Sequence, residues 1–241
     1  MLKIVADLHL HTVASGHAYS TICEYAEEAH KKGLEMIAMT DHGPGMPGGP
    51  HYYHFANLNS VPDVISGVRI LKGIEANIMD FDGKLDIEDT WLKPLDIVIA
   101  SFHLHLGHDG GTVDQNTETI LKVMKNPYVD IIGHPVNPAF PMHIKEMVAG
   151  AKAAGKVLEI NNSSFTGLTR LGSVEPCTEI IREAKRQKAY IVVNSDSHIK
   201  HHIGNVEIAL DILNKENFPE ELIVNATSGR IEKLILCRKQ K

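Results

Sequence analysis

The chain has little cysteine and few aromatic residues. Its 241 residues hold three cysteines, one tryptophan, six tyrosines and six phenylalanines. Cys23, Cys177 and Cys237 are scattered, odd in number and lack Cys-x-x-Cys spacing. That excludes a disulfide scaffold and reads as three thiols in a reducing compartment. No apolar run approaches membrane-spanning length, so no membrane partner is expected. Residues 1–7 pass directly into a strand pattern that fits no signal peptide, and the expected location is the cytoplasm. The formal charge is −6 with neutral histidine. No basic stripe is visible, so nucleic acid is not an expected partner. A P-loop and a dinucleotide glycine fingerprint are both missing, and so is a Gly-x-Ser-x-Gly elbow.

What the chain does have is histidine in a pattern. Seven histidines, one glutamate and one aspartate fall where seven successive apolar runs end. The runs are 4–9, 36–40, 69–75, 97–102, 129–133, 157–160 and 190–194. Amphipathic stretches alternate with them, with helices expected over 22–32, 118–125, 145–154, 175–187, 206–215, 219–226 and 229–238. Gly33 supplies a stop for the first helix. Strand–helix alternation predicts an α/β fold, a distorted seven-stranded (β/α)7 TIM-like barrel with one strand fewer than the eight-stranded form. No linker or internal repeat divides the chain, and 1–241 is expected to be one domain. Asp82-Gly83, between short half-apolar runs over 77–86, predicts a type I′ hairpin after the third strand. The stretch 43–59, rich in glycine and proline and carrying His51, Tyr52, Tyr53 and His54, reads as a long irregular loop over the site.

Alternate residues on a strand share a face. Asp7, His9 and His11 therefore point together if the first strand persists, and His9 and His11 can grip one cation. Asp196 pairs with His198 by the same spacing. Asp7, one layer deeper, suits a hydrogen bond that fixes the tautomer of a ligand imidazole. A single histidine at a strand end is more often a hydrogen-bonded group than a ligand. That reading must also account for His42, His103, His134, His198 and Glu75, each closing an apolar strand. Clustered imidazoles with two carboxylates favour zinc, then iron or manganese, over magnesium or calcium alone.

The series Asp7-Leu8-His9-Leu10-His11-Thr12, Thr40-Asp41-His42, Gly73-Ile74-Glu75, Ser101-Phe102-His103, Gly133-His134-Pro135 and Ser195-Asp196-Ser197-His198 resembles the motifs of the PHP (polymerase and histidinol phosphatase) superfamily. Further stretches resemble its small stand-alone bacterial phosphatases of the YcdX type: His17-Ala18-Tyr19-Ser20, Pro50-His51-Tyr52-Tyr53-His54-Phe55 and Glu159-Ile160-Asn161-Asn162-Ser163-Ser164. The resemblance implies a three-metal centre in a PHP-type metallohydrolase. His9, His11, Glu75 and Asp196 would bind one ion. Glu75 would bridge to a second, completed by His103 and His134. His17, His42 and His198 would hold the third.

The implied activity is hydrolysis of small phosphate monoesters by a metal-bridged hydroxide, with Glu75, Asp196 and His198 as catalytic residues. Three divalent ions, two carboxylates and a hydroxide leave about +3, a charge matched by a phosphate dianion. Arg170, His51 and His54 are candidate phosphate contacts. A solvated loop arginine is the competing reading of Arg170, and His201 and His202 lie close enough to the mouth to touch substrate. The alternatives are a PHP-type nuclease or phosphodiesterase, a histidinol-phosphate phosphatase, and a non-catalytic metal-binding module with no open coordination position.

Overall fold

A computed structural model describes residues 2–107, 109–166, 170 and 172–240. Its strands are β1 (Ala6–Leu10), β2 (Met36–Met39), β3 (Val64–Ile65), β4 (Val68–Asn77), β5 (Ile97–Ser101), β6 (Ile131–Ile132), β7 (Val157–Asn161) and β8 (Ile191–Asn194). Its α-helices are α1 (Ile22–Lys31), α2 (Tyr53–Ala56), α3 (Asp89–Leu92), α4 (Val113–Val123), α5 (Ile144–Ala154), α6 (Ser163–Thr166), α7 (Val174–Gln187), α8 (Glu207–Lys215) and α9 (Ser228–Lys239). Seven strands run parallel in the order β1-β2-β4-β5-β6-β7-β8 and form a nearly closed α/β barrel, as the alternating pattern predicts. The short β3 pairs antiparallel with β4 at the side and was not legible in the sequence.

Alternation sorts side chains between an inward apolar region and outward ones. Ala6, Leu8, Ala38, Leu71, Ile97, Ile99, Ile131, Val157 and Val192 pack together with Ile231 and Ile235 of α9. These are the inward positions, and α9 closes that end of the barrel. The alternate residues Ile74, Ala76, Val98, Ala100, Ile132, Leu158, Ile160, Ile191 and Val193 pack outward against α4, α5, α7 and α8. Continuing the inward series along β4 and β7 past Leu71 and Val157 reaches Glu75 and Glu159. Polar groups therefore sit on an apolar floor at the C-terminal ends of the strands, where α/β barrels gather their chemistry.

The seam between β8 and β1 is not an ordinary ladder. One parallel bridge, Leu10 to Ser197, joins the rims. Lower down, the buried Asn225 inserts its amide between the strands. It donates to Val193 O at 2.6 Å and Ala6 O at 2.8 Å, and accepts from Val193 N at 3.1 Å. Asn194 Oδ1 similarly accepts from Leu8 N at 2.9 Å. Side-chain amides thus supply the backbone pairing that an eighth strand would provide.

Four expectations need correction. Residues 219–226 do not form an α-helix but two 3-10 turns, Glu220–Leu222 and Val224–Ala226. The fourth helix starts earlier than 118, because Thr112 and Gln115 form a reciprocal capping box. The hairpin over 77–86 exists, with Met79 N bonded to Lys84 O and Asp86 N to Asn77 O. Its turn is not type I′, which needs left-handed backbone at both central residues. Gly83 has φ 80°, whereas Asp82 is not among the positive-φ residues; the Asp80 carboxylate instead organises the turn by accepting from Asp82 N and Lys84 N. The loop over 43–59 is partly ordered by α2 and by a 3-10 turn at Leu58–Ser60.

Candidate metal centre

The first strand carries an irregularity with functional weight. Its register against β2 shifts between Asp7 and Leu10. Leu8 packs inward, and His9 also turns inward, with its Nδ1 2.7 Å from Glu159 Oε1. Leu10 then joins a third apolar cluster, with Tyr25 and Ala29 of α1 and Ile37. A bulge of this kind changes the phase of alternation. Asp7 consequently does not share a face with His9 and His11, and it orients no imidazole. Its carboxylate accepts from Ser195 Oγ at 2.5 Å, Ser195 N at 3.2 Å and Gly204 N at 2.8 Å. It anchors both ends of the segment that presents Asp196 and His198.

Six of the seven histidines singled out as ligands meet Glu75 or Asp196. Glu75 is fully buried. Its Oε2 lies 2.7 Å from His42 Nδ1, 3.4 Å from His9 Nε2 and 3.5 Å from His11 Nε2. Its Oε1 lies 2.9 Å from His134 Nε2 and 3.4 Å from His103 Nε2. Asp196 Oδ1 lies 3.1 Å from His11 Nε2 and 3.6 Å from His9 Nε2. His198 Nδ1 donates to the Asp196 carbonyl at 3.0 Å. His17 is the outermost member, its ring centroid 5.0 Å from those of both His42 and His198. His134 and Asp196 have φ of 27° and 54°. Non-glycine residues in this region carry strain of the sort found at functional sites.

The donor set suits a divalent cation. His9 Nε2, His11 Nε2, His42 Nδ1, His103 Nε2 and Glu75 Oε2 are all buried, and although they crowd to within 2.7–3.6 Å of neighbouring polar atoms none is aligned for a hydrogen bond. Buried polar atoms left unpaired cost about 1–3 kcal/mol each, and five facing one another form a cradle of lone pairs. Three subsets place their donor atoms within 4.8 Å of one another: His11 with His42 and His198, His9 with His11 and Asp196, and His42 with Glu75 and His103. Electrostatics agree. Burial pushes the Glu75 carboxyl up, but His9, His103 and His42 outweigh it and hold the group well below its ordinary range. Burial and the neighbouring His42 hold the His11 imidazole well below its own. His134 is brought down to about 4, by burial first and then by Arg170.

A model of the PHP domain matches residues 7–163. The chain belongs to the PHP family. A protein of Acetivibrio thermocellus named probable phosphatase is 48% identical over 240 residues, covering 100% of this chain and 98% of its own length. A probable phosphatase of Clostridium novyi is 46% identical, with 95% of this chain and 93% of its own covered. Among solved structures, a histidinol phosphate phosphatase of Lactococcus lactis, complexed with zinc, L-histidinol and phosphate, aligns with a TM-score of 0.64 at 22% identity. It covers 91% of this chain and 95% of its own. At that identity the likeness is one of fold.

Within this PHP chain, sequence spacing missed the groups that orient the imidazoles. Glu159 is the chief of them. Besides His9 Nδ1, its carboxylate accepts from His134 N at 2.8 Å, Asn194 Nδ2 at 2.8 Å and Asn161 Nδ2 at 3.1 Å. Burial pushes Glu159 up, yet His9 outweighs that and its pKa is lowered. An anionic Glu159 keeps the His9 proton on Nδ1 and leaves Nε2 facing the other donors. It is also a third buried carboxylate that the charge count from Glu75 and Asp196 omitted. Asn77 does for His103 what Glu159 does for His9, with Oδ1 2.8 Å from Nδ1. The available signal was parity: Glu159 and Asn161 share the inward face of β7 with Val157.

The remaining residues singled out from the sequence divide. Arg170 reaches the rim, donating to Asp196 Oδ2 at 3.1 Å and Ser164 Oγ at 3.4 Å. His54 Nε2 lies 3.2 Å from Asp41 Oδ2. Asp41 also accepts from Thr12 and Ser15, and Ser15 Oγ lies 3.3 Å from His11 Nδ1. Burial raises Asp41, but hydrogen bonds led by His54 hold it at about 2. His51 is exposed, packs tilted against Tyr52 and edge-on to Tyr53, and among the described residues makes no contact with the histidine cluster. No helix among the described residues is long and apolar enough to cross a membrane.

Proposed function

We propose that residues 1–241 act as one PHP-type metallohydrolase that removes phosphate from small monoesters at a centre of three divalent ions, with zinc first, then iron or manganese. The observation that carries this reading is the set of five unpartnered, buried donor atoms around Glu75. His9, His11, Glu75 and Asp196 would hold one ion. Glu75, His103 and His134 would hold the second, and His17, His42 and His198 the third. The probable-phosphatase relatives favour the same activity.

Bound cations of this class supply Lewis acidity toward phosphoryl oxygens and lower the pKa of water toward ~7. The chain's own groups orient and steer. Glu159, Asn77 and the Asp196 carbonyl each hold a proton on one ring nitrogen of His9, His103 and His198, so that the other nitrogen faces inward. Asn161 Nδ2 and Arg170 Nη1 both donate to Asp196 Oδ2, which leaves Oδ1 toward the imidazoles. The Arg170 guanidinium also places a positive charge at the rim, where an incoming dianion would pass. Among the candidate phosphate contacts, Arg170 is favoured over His54, which is engaged with Asp41, and over His51.

Elemental analysis by mass spectrometry together with a panel of monoesters, diesters and single-stranded DNA tests the proposal. About three ions per chain and turnover of monoesters are expected. Turnover of diesters alone would overturn the monoester assignment. A metal-loaded protein inactive on all three classes would leave a binding module.

A further inference from the structure

Asp196 and His198 form one wall of a cleft of about 470 Å3 that opens beside the histidine cluster. The other walls come from the start of α6 and the approach to α8, and include Asn162, Ser163, Thr166, His202, Asn205 and Glu207. The space beside His134, by comparison, holds only about 10 Å3 and is walled by Phe102 and Phe140. A phosphoryl group over the cluster therefore has the cleft next to it as room for the rest of the molecule. Pockets of this size are normal for small ligands, but most are apolar. This one has no phenyl or indole side chain among its described lining residues, and Ile208 is its one aliphatic wall.

The hydrogen-bonding state of the walls is specific. Asn162 is buried, and its Oδ1 is used by Ala209 N at 3.0 Å. Asn205 Oδ1 is used by Lys32 Nζ at 3.1 Å. Both amide NH2 groups are thereby left as donors with no partner among the described residues. Glu207, in the first turn of α8, has no hydrogen bond or ion pair there either, so its two oxygens are free acceptors. The cleft offers separated donors and a two-oxygen acceptor, and Ile208 is the one aliphatic side chain among its described walls.

We infer that this cleft takes the alcohol half of the substrate, and that this half is a small polyol or sugar carrying adjacent hydroxyls. The inference rests on the phosphatase reading above and adds the substrate class to it. A hydroxyl both donates and accepts, so a diol can satisfy the Glu207 carboxylate and the two amides together. An ammonium group has three donors and no acceptor and would leave the amides unpaired. An alkyl or aryl group would leave every wall group unpaired, which is how a polar site rejects an apolar analogue. Glu207 and Asn205 are accordingly specificity-determining residues.

The test uses the metal-loaded full chain and matched esters: glycerol phosphate, propyl phosphate, ethanolamine phosphate, phenyl phosphate and adenosine monophosphate. Glycerol phosphate is expected to exceed propyl phosphate in kcat/KM by about tenfold or more. Glu207→Gln is expected to lower kcat/KM for glycerol phosphate more than for propyl phosphate. Calorimetry supplies a reading independent of turnover: dihydroxybutylphosphonate is expected to bind more tightly than butylphosphonate, with the difference shrinking in Glu207→Gln and in Asn205→Ala. Equal rates on glycerol and propyl phosphates, a preference for the amine, phenyl or adenosine ester, or equal losses in the variants would overturn the inference while leaving the phosphatase reading intact. Inactivity on every monoester, with no phosphonate bound, would remove both.

Discussion

Glu159 and His9 stand 150 residues apart in the chain and meet at 2.7 Å, in full burial, across the mouth of the barrel. The pair decides which ring nitrogen of His9 is available. Glu159→Gln removes the charge and replaces one oxygen by an amide NH2, set against either His9 and Asn194 or His134 N and Asn161, which now donate there. Zinc affinity is expected to fall about 10- to 100-fold. Competition with a chromogenic chelator measures it. Unchanged affinity would mean that His9 is not a ligand or needs no orientation.

Glu75 sits among five candidate ligand imidazoles and is expected to be the least replaceable residue. Glu75→Ala should reduce bound metal from about three ions to one or none and abolish turnover, since the same carboxylate serves two proposed sites. Metal content by mass spectrometry, run beside circular dichroism to confirm folding, checks this. A folded variant that retains three ions sinks the assignment.

Asn225→Ala removes three hydrogen bonds that close the β8–β1 seam. Orphaning Val193 N, Val193 O and Ala6 O is expected to cost about 3 kcal/mol or more. The urea midpoint should fall with little change in slope. A midpoint within error of the parent would show that water repairs the seam.

Asp7 holds Ser195 and Gly204 from outside the barrel. Asp7→Ala is expected to speed protease nicking between residues 195 and 206 by about tenfold, the equivalent of ~1.4 kcal/mol of local opening. Mass mapping of a brief digest reads the cut. Cleavage confined to other loops would argue against this anchoring role.

Burial pushes the Cys177 thiol up to about 12, from an ordinary value of 9.0. Cys23 and Cys237 are exposed. A thiol reagent at pH 8 should label two cysteines in the native chain and a third only on unfolding. The folded value is the higher one, so the stability that Cys177 contributes is whole below pH 9 and is lost as pH climbs from 9 toward 12. Three fast thiols in the folded chain would contradict the burial of Cys177.

The barrel was legible because inward and outward residues alternate cleanly in β4, β5 and β7. The clustering of the candidate ligands was legible because imidazoles end apolar runs, where barrel mouths form. Asp7 was misjudged because a bulge is a backbone event that leaves no trace in composition: Asp7, Leu8 and His9 read as plain alternation. Glu159 was quoted within its motif but given no role, because its partner His9 lies at the other end of the chain. The helix expected over 219–226 fails because Asn225 spends its side chain on the seam, a tertiary use that outweighs local propensity. The edge strand β3 is two residues long and carries no periodicity to detect.

The closure of the barrel has a consequence for biosynthesis. Candidate ligands begin at His9 on the first strand and end at His198, beyond the last, and the wedge that joins those strands is Asn225. A polypeptide still emerging from the ribosome holds pairs such as His9 and His11 but no complete cradle until the final segment is released. Under the proposed three-ion centre, cation capture is a late event of maturation. A chain that lost its last quarter would bind zinc loosely, if at all, however well its first strands had formed.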